Sequence, residues 1–427
     1  MLMLAFAIGL LLILIFMRIP VFLSLFLSGF VCFMLFAPVP MAVIGQILIK
    51  KLDNYSLIAI PFFIFLGNIM VRGESAKRLV DLVFAIVSPL RAGLPIAAVN
   101  SCGLFGAISG SSISTLVTIG GIIMPALDEN RYERRFSVGI LTASSILGII
   151  IPPSVPMIIF AMIAGTSVNR VFVAGILPGL LIMVLLSLYA YGYGRLKKQS
   201  ATQFMGLMHM GRTFWRAGWS LLLPLILYVG IYTGVFTVTE ASVVAAAYAI
   251  LIETLLYRQV SFKEIWRLAV QSGILSGTLV IIIAGAMTLG EFIVLQDLPN
   301  VLVDTAMRYI SQPWIFVFMT VVLVLVIGTF LDIIGALAIL TPVMLPLSRA
   351  YGMDPVHFGI ILCLGFGIGY ITPPLGLLLY TSVAVMKEKF TFICRSIMPP
   401  LIVYVVILFL VAYIPQLSLW LPHVLYD

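Results

Sequence analysis

Apolar stretches of helical length recur along the whole chain, separated by short polar or proline-containing breaks. Because a helix needs about 20 apolar residues to cross a bilayer, the unbroken stretches predict membrane spans. A transmembrane β-barrel is excluded, since its strands would alternate apolar and polar residues. Spans are predicted at 2–17, 20–37, 55–71, 171–194, 217–236, 238–256, 269–287 and 397–415.

Other stretches are too short, too charged or too interrupted for a simple span. Charges at helical spacing predict segments lying at the membrane surface near 41–52, 76–91 and 291–311. Pairs of short apolar segments predict two re-entrant hairpins, whose ends emerge on one side: 92–108 with 113–127, and the two halves of 314–347. Spans broken at a Pro-Pro pair are predicted at 136–165 and 357–385.

The composition supports this all-α integral membrane class. Of the 427 residues, 62% are hydrophobic and 9% are charged, whereas a soluble domain has roughly a quarter of its residues charged. No polar stretch exceeds the one at 196–216, and no GxxxxGK phosphate loop followed by Ser or Thr occurs, so an ATP-binding domain is excluded. Any energy source must then be an ion gradient or another subunit, and no organic cofactor is expected.

The basic residues predict an orientation. With the N-terminus outside, the 24 Lys and Arg residues fall inside except for five: Lys50, Lys51, Arg170, Arg308 and Arg349. Cytoplasmic loops collect positive charge, so this orientation is favoured over its inverse. Both termini are therefore predicted to lie outside.

Two parts of the chain superimpose when one is shifted by 221 residues. The shift carries Pro125 onto Pro346, Gly148 onto Gly369, Pro152 onto Pro373 and Pro153 onto Pro374. An odd number of predicted crossings separates the two hairpins, so the second copy is inverted in the membrane. Inverted repeats with broken helices are typical of secondary transporters. Two ordinary kinked helices are the alternative, but kinks leave the matching offsets unexplained.

The breaks predict where ions and solute bind, because a broken helix frees N–H and C=O groups that are costly to leave unpaired. Half-helix N-termini suit anions, while carbonyl and hydroxyl oxygens suit Na⁺. The first repeat offers Ser109, Gly110, Ser111, Ser112, Ser114, Thr115, Pro152, Pro153 and Ser154. The second offers Gly328, Thr329, Asp332, Gly335, Gly369, Thr372, Pro373 and Pro374.

Two carboxylates within apolar segments have competing interpretations. Asp332 lies far from any loop, where a charge costs at least about 2.5–3.5 kcal/mol, and the repeat pairs it with Ser111. It is predicted to belong to the binding site, with a helix cap or a buried ion pair as the alternative. Glu240 follows Thr237 in the first turn of a predicted helix, where a capping role is favoured.

Eight segments together resemble the large membrane subunit of the tripartite ATP-independent periplasmic (TRAP) transporters, within the ion-transporter superfamily. They are IPFFIFLGNIM (60–70), SGSSIS (109–114), GIIIPPSVPMIIF (148–160), FVAGILPGL (172–180), TVTEA (237–241), GTFLD (328–332), DPVHFG (354–359) and GYITPPLGLLLY (369–380). The resemblance covers essentially the whole chain. One departure is Ser114, where many relatives carry alanine.

The resemblance implies an elevator mechanism in the bacterial inner membrane, in which a transport domain slides against a scaffold. It also implies two partners, a small four-helix membrane subunit and a soluble periplasmic binding protein, and no nucleic acid. The implied parts are scaffold helices with an arm helix (1–91), transport repeat 1 (92–170), scaffold helices with a second arm helix (171–311), transport repeat 2 (312–386) and a C-terminal scaffold helix (387–427).

The resemblance further implies Na⁺-coupled uptake of a carboxylate-bearing solute such as sialic acid, a C4-dicarboxylate or a sugar acid, and overall similarity favours sialic acid. Substrate contacts are expected at Ser109, Ser111, Ser112, Ser154, Thr329 and Asp332. Na⁺ is expected near Ser109, Gly110, Ser112, Thr115, Pro152, Gly328, Thr329, Asp332, Gly335, Gly369, Thr372 and Pro373.

Three other functions compete with this interpretation. A stand-alone carrier of the same superfamily would need no binding protein. An intramembrane enzyme would need a nucleophile with a base, or a metal site, and no HExxH, GxSG or paired His or Cys occurs. An ion channel would need a continuous pore, which inverted broken hairpins do not favour.

Overall fold

The computed structural model describes residues 2–37, 40–199 and 206–426, and every regular element in these ranges is helical. Seven helices of this part are long and apolar enough to cross a membrane, and the number rises to nine if each of two bent pairs is one span. The predicted all-α fold class, with paired hairpins and broken spans, is confirmed.

Twelve helices precede residue 200. They are α1 (Leu2–Phe16), α2 (Val21–Phe36), α3 (Met41–Leu52), α4 (Ala59–Arg72), α5 (Ser75–Val87), α6 (Gly93–Ser109), α7 (Ser112–Thr115), α8 (Gly121–Glu129), α9 (Arg134–Ser144), α10 (Leu147–Ile150), α11 (Val155–Ala164) and α12 (Val168–Leu196). A 3-10 turn (Tyr55–Ile58) leads into α4, and a π-helical turn (Leu116–Gly120) joins α7 to α8.

Ten helices follow residue 206. They are α13 (Leu207–Tyr232), α14 (Val238–Leu251), α15 (Phe262–Leu295), α16 (Leu298–Tyr309), α17 (Pro313–Gly328), α18 (Ile333–Ala350), α19 (Pro355–Gly369), α20 (Leu377–Met386), α21 (Phe390–Tyr413) and α22 (Gln416–Tyr426). A π-helical turn (Ile252–Leu256) extends α14.

Several predicted boundaries in this second half are wrong. Helix α13 begins ten residues before the predicted 217, α15 extends past both ends of 269–287, α21 begins before 397, and the tail forms the unpredicted α22. Charged residues near the start of α13 and of α15 lower the local hydropathy without breaking either helix. The predicted polar stretch 196–216 therefore ends in helix, and its residues 200–205 lie outside the described residues.

The two repeats adopt matching elements. Each begins with a hairpin, α6 with α7 and α8 in the first and α17 with α18 in the second. Each continues with a broken span, α9 to α11 and α19 to α20. Nearly every residue of α9 and α19 is buried, and α19 is apolar on all sides, as expected of a helix in the core. The broken spans therefore form the core against which the hairpins pack.

A buried carboxylate fixes the surface helix α5 to the end of α14. Glu253 is fully buried and accepts hydrogen bonds from the backbone N–H of Glu74 at 2.9 Å and of Ser75 at 3.1 Å, and from the Ser75 hydroxyl. These N–H groups belong to the start of α5, where a helix has no internal acceptor. Gly73 leaves the necessary room, because a Cβ there would collide with the Glu253 carboxyl group.

Replacing Glu253 with Ala is expected to lower the thermal midpoint of the purified protein by several degrees. The change leaves buried donors of α5 unpaired, at a cost of about 1–3 kcal/mol. Glu253→Gln should lose less, since the amide oxygen still accepts a bond. The matched control is Glu240→Gln, because Glu240 is exposed and glutamine also completes its capping box with Thr237. Equal midpoints for Glu253→Ala and this control, measured by scanning fluorimetry, would contradict the anchoring role.

Candidate functional site

A pocket of about 400 Å³ lies where the tips of both hairpins face helices α4 and α15. The first tip contributes Ser109 to Ser114, and the second contributes Asp332 to Ile334. Tyr370 adds a side chain from the second broken span. The structure thus brings Ser111 and Asp332, which the internal repeat pairs, to one cavity.

The tip of the first hairpin gathers hydroxyl and carbonyl oxygens. Gly110 ends α6 in a left-handed conformation, with φ of 61°, which allows the chain to turn sharply. Ser111 then caps α7, its hydroxyl accepting from the Ser114 N–H at 3.4 Å. The Thr115 hydroxyl donates to the Ser111 carbonyl at 2.7 Å and lies 3.3 Å from the Ser109 hydroxyl. Such oxygens are the ligand type that suits Na⁺ at an unwound helix.

Glycines let the first broken span approach this tip. A Cβ on Gly148 would lie 2.6 Å from both the Ser111 carbonyl oxygen and the Thr115 hydroxyl. A Cβ on Gly110 would lie 2.8 Å from the Pro153 carbonyl oxygen. The oxygen cluster of the tip is therefore closed on one side by the broken span, and a side chain at either glycine would push the two apart.

The tip of the second hairpin is organised around Asp332. Its Oδ2 accepts from the Ile334 N–H at 3.0 Å and so caps α18. Its Oδ1 accepts a hydrogen bond from the Tyr370 hydroxyl, which in turn accepts from the Ile333 N–H at 3.3 Å. Asp332 is thus a helix cap, the alternative interpretation of its sequence position, and it also lines the pocket.

The charges of the pocket are one-sided. Among its described lining residues the ionisable side chains are Asp332 and Tyr370, with no Lys, Arg or His. Partial positive charge comes instead from the helix starts after each tip, at Ser112 of α7 and at Ile333 of α18, although the Ile333 N–H itself donates to the Tyr370 hydroxyl. The pocket therefore offers one carboxylate to a cation and helix N-termini to an anion.

The remaining predicted residues of the first repeat surround the tip. Ser109, Gly110 and Ser112 line the pocket. Ser154 is buried, and its hydroxyl donates to the Ile149 carbonyl at 2.7 Å. The Pro152 carbonyl accepts a hydrogen bond at 2.6 Å from Tyr228 of α13.

Those of the second repeat, other than Asp332, do not line the pocket. The hydroxyls of Thr329 and Thr372 donate to carbonyls of their own helices, at 2.7 Å and 2.8 Å. Gly369 packs against the Gly328 carbonyl so tightly that a Cβ would collide with it. Gly335 is buried in α18, and Pro373 is half-buried at the break.

Three polar lining residues escaped the sequence analysis. Asn68 of α4 donates to the Ser272 hydroxyl of α15 at 2.8 Å, and Thr278 lines the same wall. An amide within the apolar segment 60–70 was an available signal for Asn68. Tyr370 had no such signal, because the internal repeat aligns it with the apolar Ile149.

Comparisons with known proteins agree with this architecture. Residues 8–417 match the family described as "Tripartite ATP-independent periplasmic transporter, DctM component". The chain is 36% identical over 400 residues to the C4-dicarboxylate TRAP transporter large permease protein DctM of Pseudomonas aeruginosa, covering 94% of each. It is 34% identical over 367 residues to the ectoine/5-hydroxyectoine TRAP transporter large permease protein UehC of Ruegeria pomeroyi, covering 86% of each.

Solved structures include a similar fold in the crystal structure of the YdaH transporter of Alcanivorax borkumensis, with a TM-score of 0.62 over 90% of this chain and 89% of that one. The sequence identity is 12%, so the likeness concerns the fold alone.

Tyr370→Phe is expected to raise the half-saturating concentration of solute in an uptake assay by about tenfold, because the Asp332 carboxylate loses a charge-assisted hydrogen bond. The maximal rate should change less. The matched control is Tyr404→Phe, which removes a buried hydroxyl bonded to the Ala143 carbonyl. Equal shifts in both variants would argue against a positioning role for Tyr370.

Proposed function

The chain belongs to the DctM family of TRAP transporters, whose members are large permeases and not enzymes, and from this premise we propose that it couples uptake of a carboxylate-bearing solute to Na⁺. One observation carries the proposal: the pocket between the hairpin tips is lined by Asp332 and, among the described residues, by no basic side chain.

Charge balance makes the coupling ion necessary. Two carboxylates 4 Å apart repel by about 4 kcal/mol at an effective dielectric constant near 20. A solute carboxylate entering beside Asp332 meets this repulsion unless a cation enters with it. Na⁺ bound near Asp332 turns the repulsion into attraction, so that solute and ion favour each other's binding.

The proposal includes two ion sites, one at each tip, and both have oxygen ligands. The Ser109 and Thr115 hydroxyls with the Ser111 carbonyl would hold Na⁺ at the first. Asp332 and the carbonyl of Gly328, which lies against Gly369, would contribute to the second. The solute carboxylate would then lie between the tips, at the N-termini of α7 and α18.

The proposed substrate class is a small organic acid, including sialic acid, C4-dicarboxylates and sugar acids. The names of the two relatives, for C4-dicarboxylates and for ectoine, support the breadth of this class and give no preference for sialic acid. The pocket volume of about 400 Å³ lies in the usual range for small-molecule sites. Serine hydroxyls of the first tip would bind the hydroxyl groups of a sugar acid.

An elevator movement fits how the helices pack. Helices α5 and α16 connect the preceding spans to the two hairpins and would act as arms. A Cβ on Gly67 of α4 would lie 3.0 Å from the Ser109 carbonyl, so the first tip passes close to α4 over a small residue. Helix α12 packs against hairpin 1 and both broken spans, and α21 packs against both broken spans and α17 of hairpin 2. This packing supports including α12 and α21 in the moving body, beyond the boundaries predicted at 171 and 387.

The proposed assembly includes a small membrane subunit and a periplasmic binding protein that delivers the solute. The N-terminus would lie in the periplasm, as the distribution of basic residues favours. A stand-alone carrier is the competing arrangement, and the requirement for the binding protein separates the two.

The direct test is uptake of labelled sialic acid, succinate or a sugar acid by proteoliposomes that contain this chain, its small subunit and the binding protein. Wild-type protein should accumulate one of these solutes only with an inward Na⁺ gradient. Asp332→Asn and Asp332→Ala should abolish accumulation, since the cation loses its carboxylate, and Ser111→Ala should weaken it. The control Glu240→Gln should behave as wild type.

Each unexpected outcome of this assay has a defined meaning. Full accumulation by Asp332→Ala, with wild-type levels of folded protein, would refute the site. Accumulation that ignores Na⁺ would refute the coupling. Uptake without the binding protein would favour the stand-alone carrier.

A further inference from the structure

A second cavity, of about 520 Å³, lies between the surface helix α5 and the start of α13. It does not share a lining residue with the transport pocket. Two polar helix faces form its walls. Helix α5 contributes Glu74, Arg78, Asp81 and Phe84, and α13 contributes His209, Arg212, Thr213 and Arg216.

The two helix faces carry side chains of opposite charge, and the space between them stays open. In the described part of the chain, the ion pair of this region joins Arg78 to Glu74 at 3.8 Å, within α5. Arg78 crosses to α13 by donating to the Arg216 carbonyl at 3.1 Å, and its guanidinium lies 3.9 Å from the centre of the Tyr257 ring. Asp81, Arg212 and Arg216 are exposed toward the space.

The basic residues across the cavity affect the pKa of Asp81. Burial raises the pKa of the Asp81 carboxyl, while Lys77 on the same helix and Arg216 and His209 on the other lower it. Glu74 raises the pKa further, as a second negative charge. The cavity thus has an acidic wall on α5 and a basic wall on α13. Arg78 of α5 is already bonded to the Arg216 carbonyl and stacked on Tyr257.

An apolar groove continues from the basic wall. Arg212 and Arg216 line both the polar cavity and a neighbouring groove along α13, of about 800 Å³. The other residues of the groove are Phe214, Trp215, Gly218, Trp219, Leu221, Leu222 and Leu225. Trp215 and Trp219 are 82% and 51% exposed, and exposed tryptophans are typical of the membrane–water interface. Their exposure favours a charged cavity at the depth of the lipid headgroups, with the groove running toward the hydrocarbon.

We propose that this composite site binds a phospholipid whose headgroup carries both a phosphate and a primary ammonium, as in phosphatidylethanolamine. The phosphate lies against Arg212 and Arg216, since guanidinium groups bind phosphate through paired charge-assisted hydrogen bonds. The ammonium faces Asp81 and Glu74, and an acyl chain lies in the groove past Trp219.

The charge pattern selects among common headgroups. Phosphatidylglycerol offers no cation to Asp81 and Glu74, which leaves their negative charge uncompensated. Phosphatidylcholine has a cation but no N–H group to donate to the carboxylates. The ethanolamine headgroup alone among the three satisfies both walls with hydrogen bonds.

A lipid held here would fix α5 against α13, next to the attachment of α5 through Glu253. Helix α5 leads directly into the first hairpin, so the lipid would stabilise the fixed end of that arm. This inference rests on α5 and α13 and is independent of the Na⁺ coupling proposed above.

The test is native mass spectrometry of the purified full chain with equal amounts of phosphatidylethanolamine, phosphatidylglycerol and phosphatidylcholine of identical acyl chains. Wild-type protein should retain phosphatidylethanolamine preferentially. The double variant Arg212→Ala/Arg216→Ala should reduce that occupancy by about tenfold, because it loses charge-assisted bonds to the phosphate. Asp81→Asn should shift the preference toward phosphatidylglycerol.

The matched control is Lys263→Ala/Arg267→Ala, which removes two basic residues with the same spacing at the start of α15. It should retain the lipid as wild type does, and thermal midpoints should show that all variants are folded. Soluble phosphoethanolamine at the same concentration should not displace the lipid, because it cannot use the groove. Equal loss in the control, preference for phosphatidylglycerol by wild type, or displacement by the soluble headgroup would overturn the proposal.

Discussion

Backbone polar groups freed inside a membrane must find partners within the protein, since lipid offers none. The breaks of this chain meet that requirement through neighbouring side chains and carbonyls. Thr115 donates to the Ser111 carbonyl, Tyr228 to that of Pro152, and Asp332 accepts from the start of α18. Two bonds join different elements: Tyr228 of α13 reaches Pro152, and Tyr370 of the second broken span reaches Asp332. These two breaks are therefore fully satisfied only when the elements pack together.

The same requirement gives the pocket its chemistry. Groups that satisfy a break also face the cavity, so Asp332 caps α18 and presents its carboxylate beside the first tip. Glycines at 148 and 369 hold each broken span against its hairpin, which fixes the oxygens that could receive an ion. The same atoms therefore pair the broken backbone and line the binding pocket. If the hairpins move, these atoms would move with them.

Much of this arrangement could be predicted from the sequence, because Pro-Pro pairs at matching offsets mark the breaks. An aspartate in an apolar segment also costs free energy, which indicates a specific role for Asp332. Contacts between distant segments could not. Tyr370 has an apolar counterpart in the first repeat, and Glu253 is an ordinary helix residue until the start of α5 is placed beside it. The early start of α13 was missed because Arg212 and Arg216 lower the local hydropathy, although their cavity explains why charges are tolerated there.

The central claim is that the pocket at the two tips binds Na⁺ and an anionic solute together, and ligand-dependent thermal stability tests it without the partner proteins. The thermal midpoint of the purified chain should rise with NaCl relative to equal KCl, since a ligand that binds the folded state stabilises it. Adding the organic acid that the permease carries should raise it further only when Na⁺ is present. Asp332→Asn should remove the difference between the two salts. A solute shift of the same size in KCl, or an unchanged Na⁺ response in Asp332→Asn, would contradict the account.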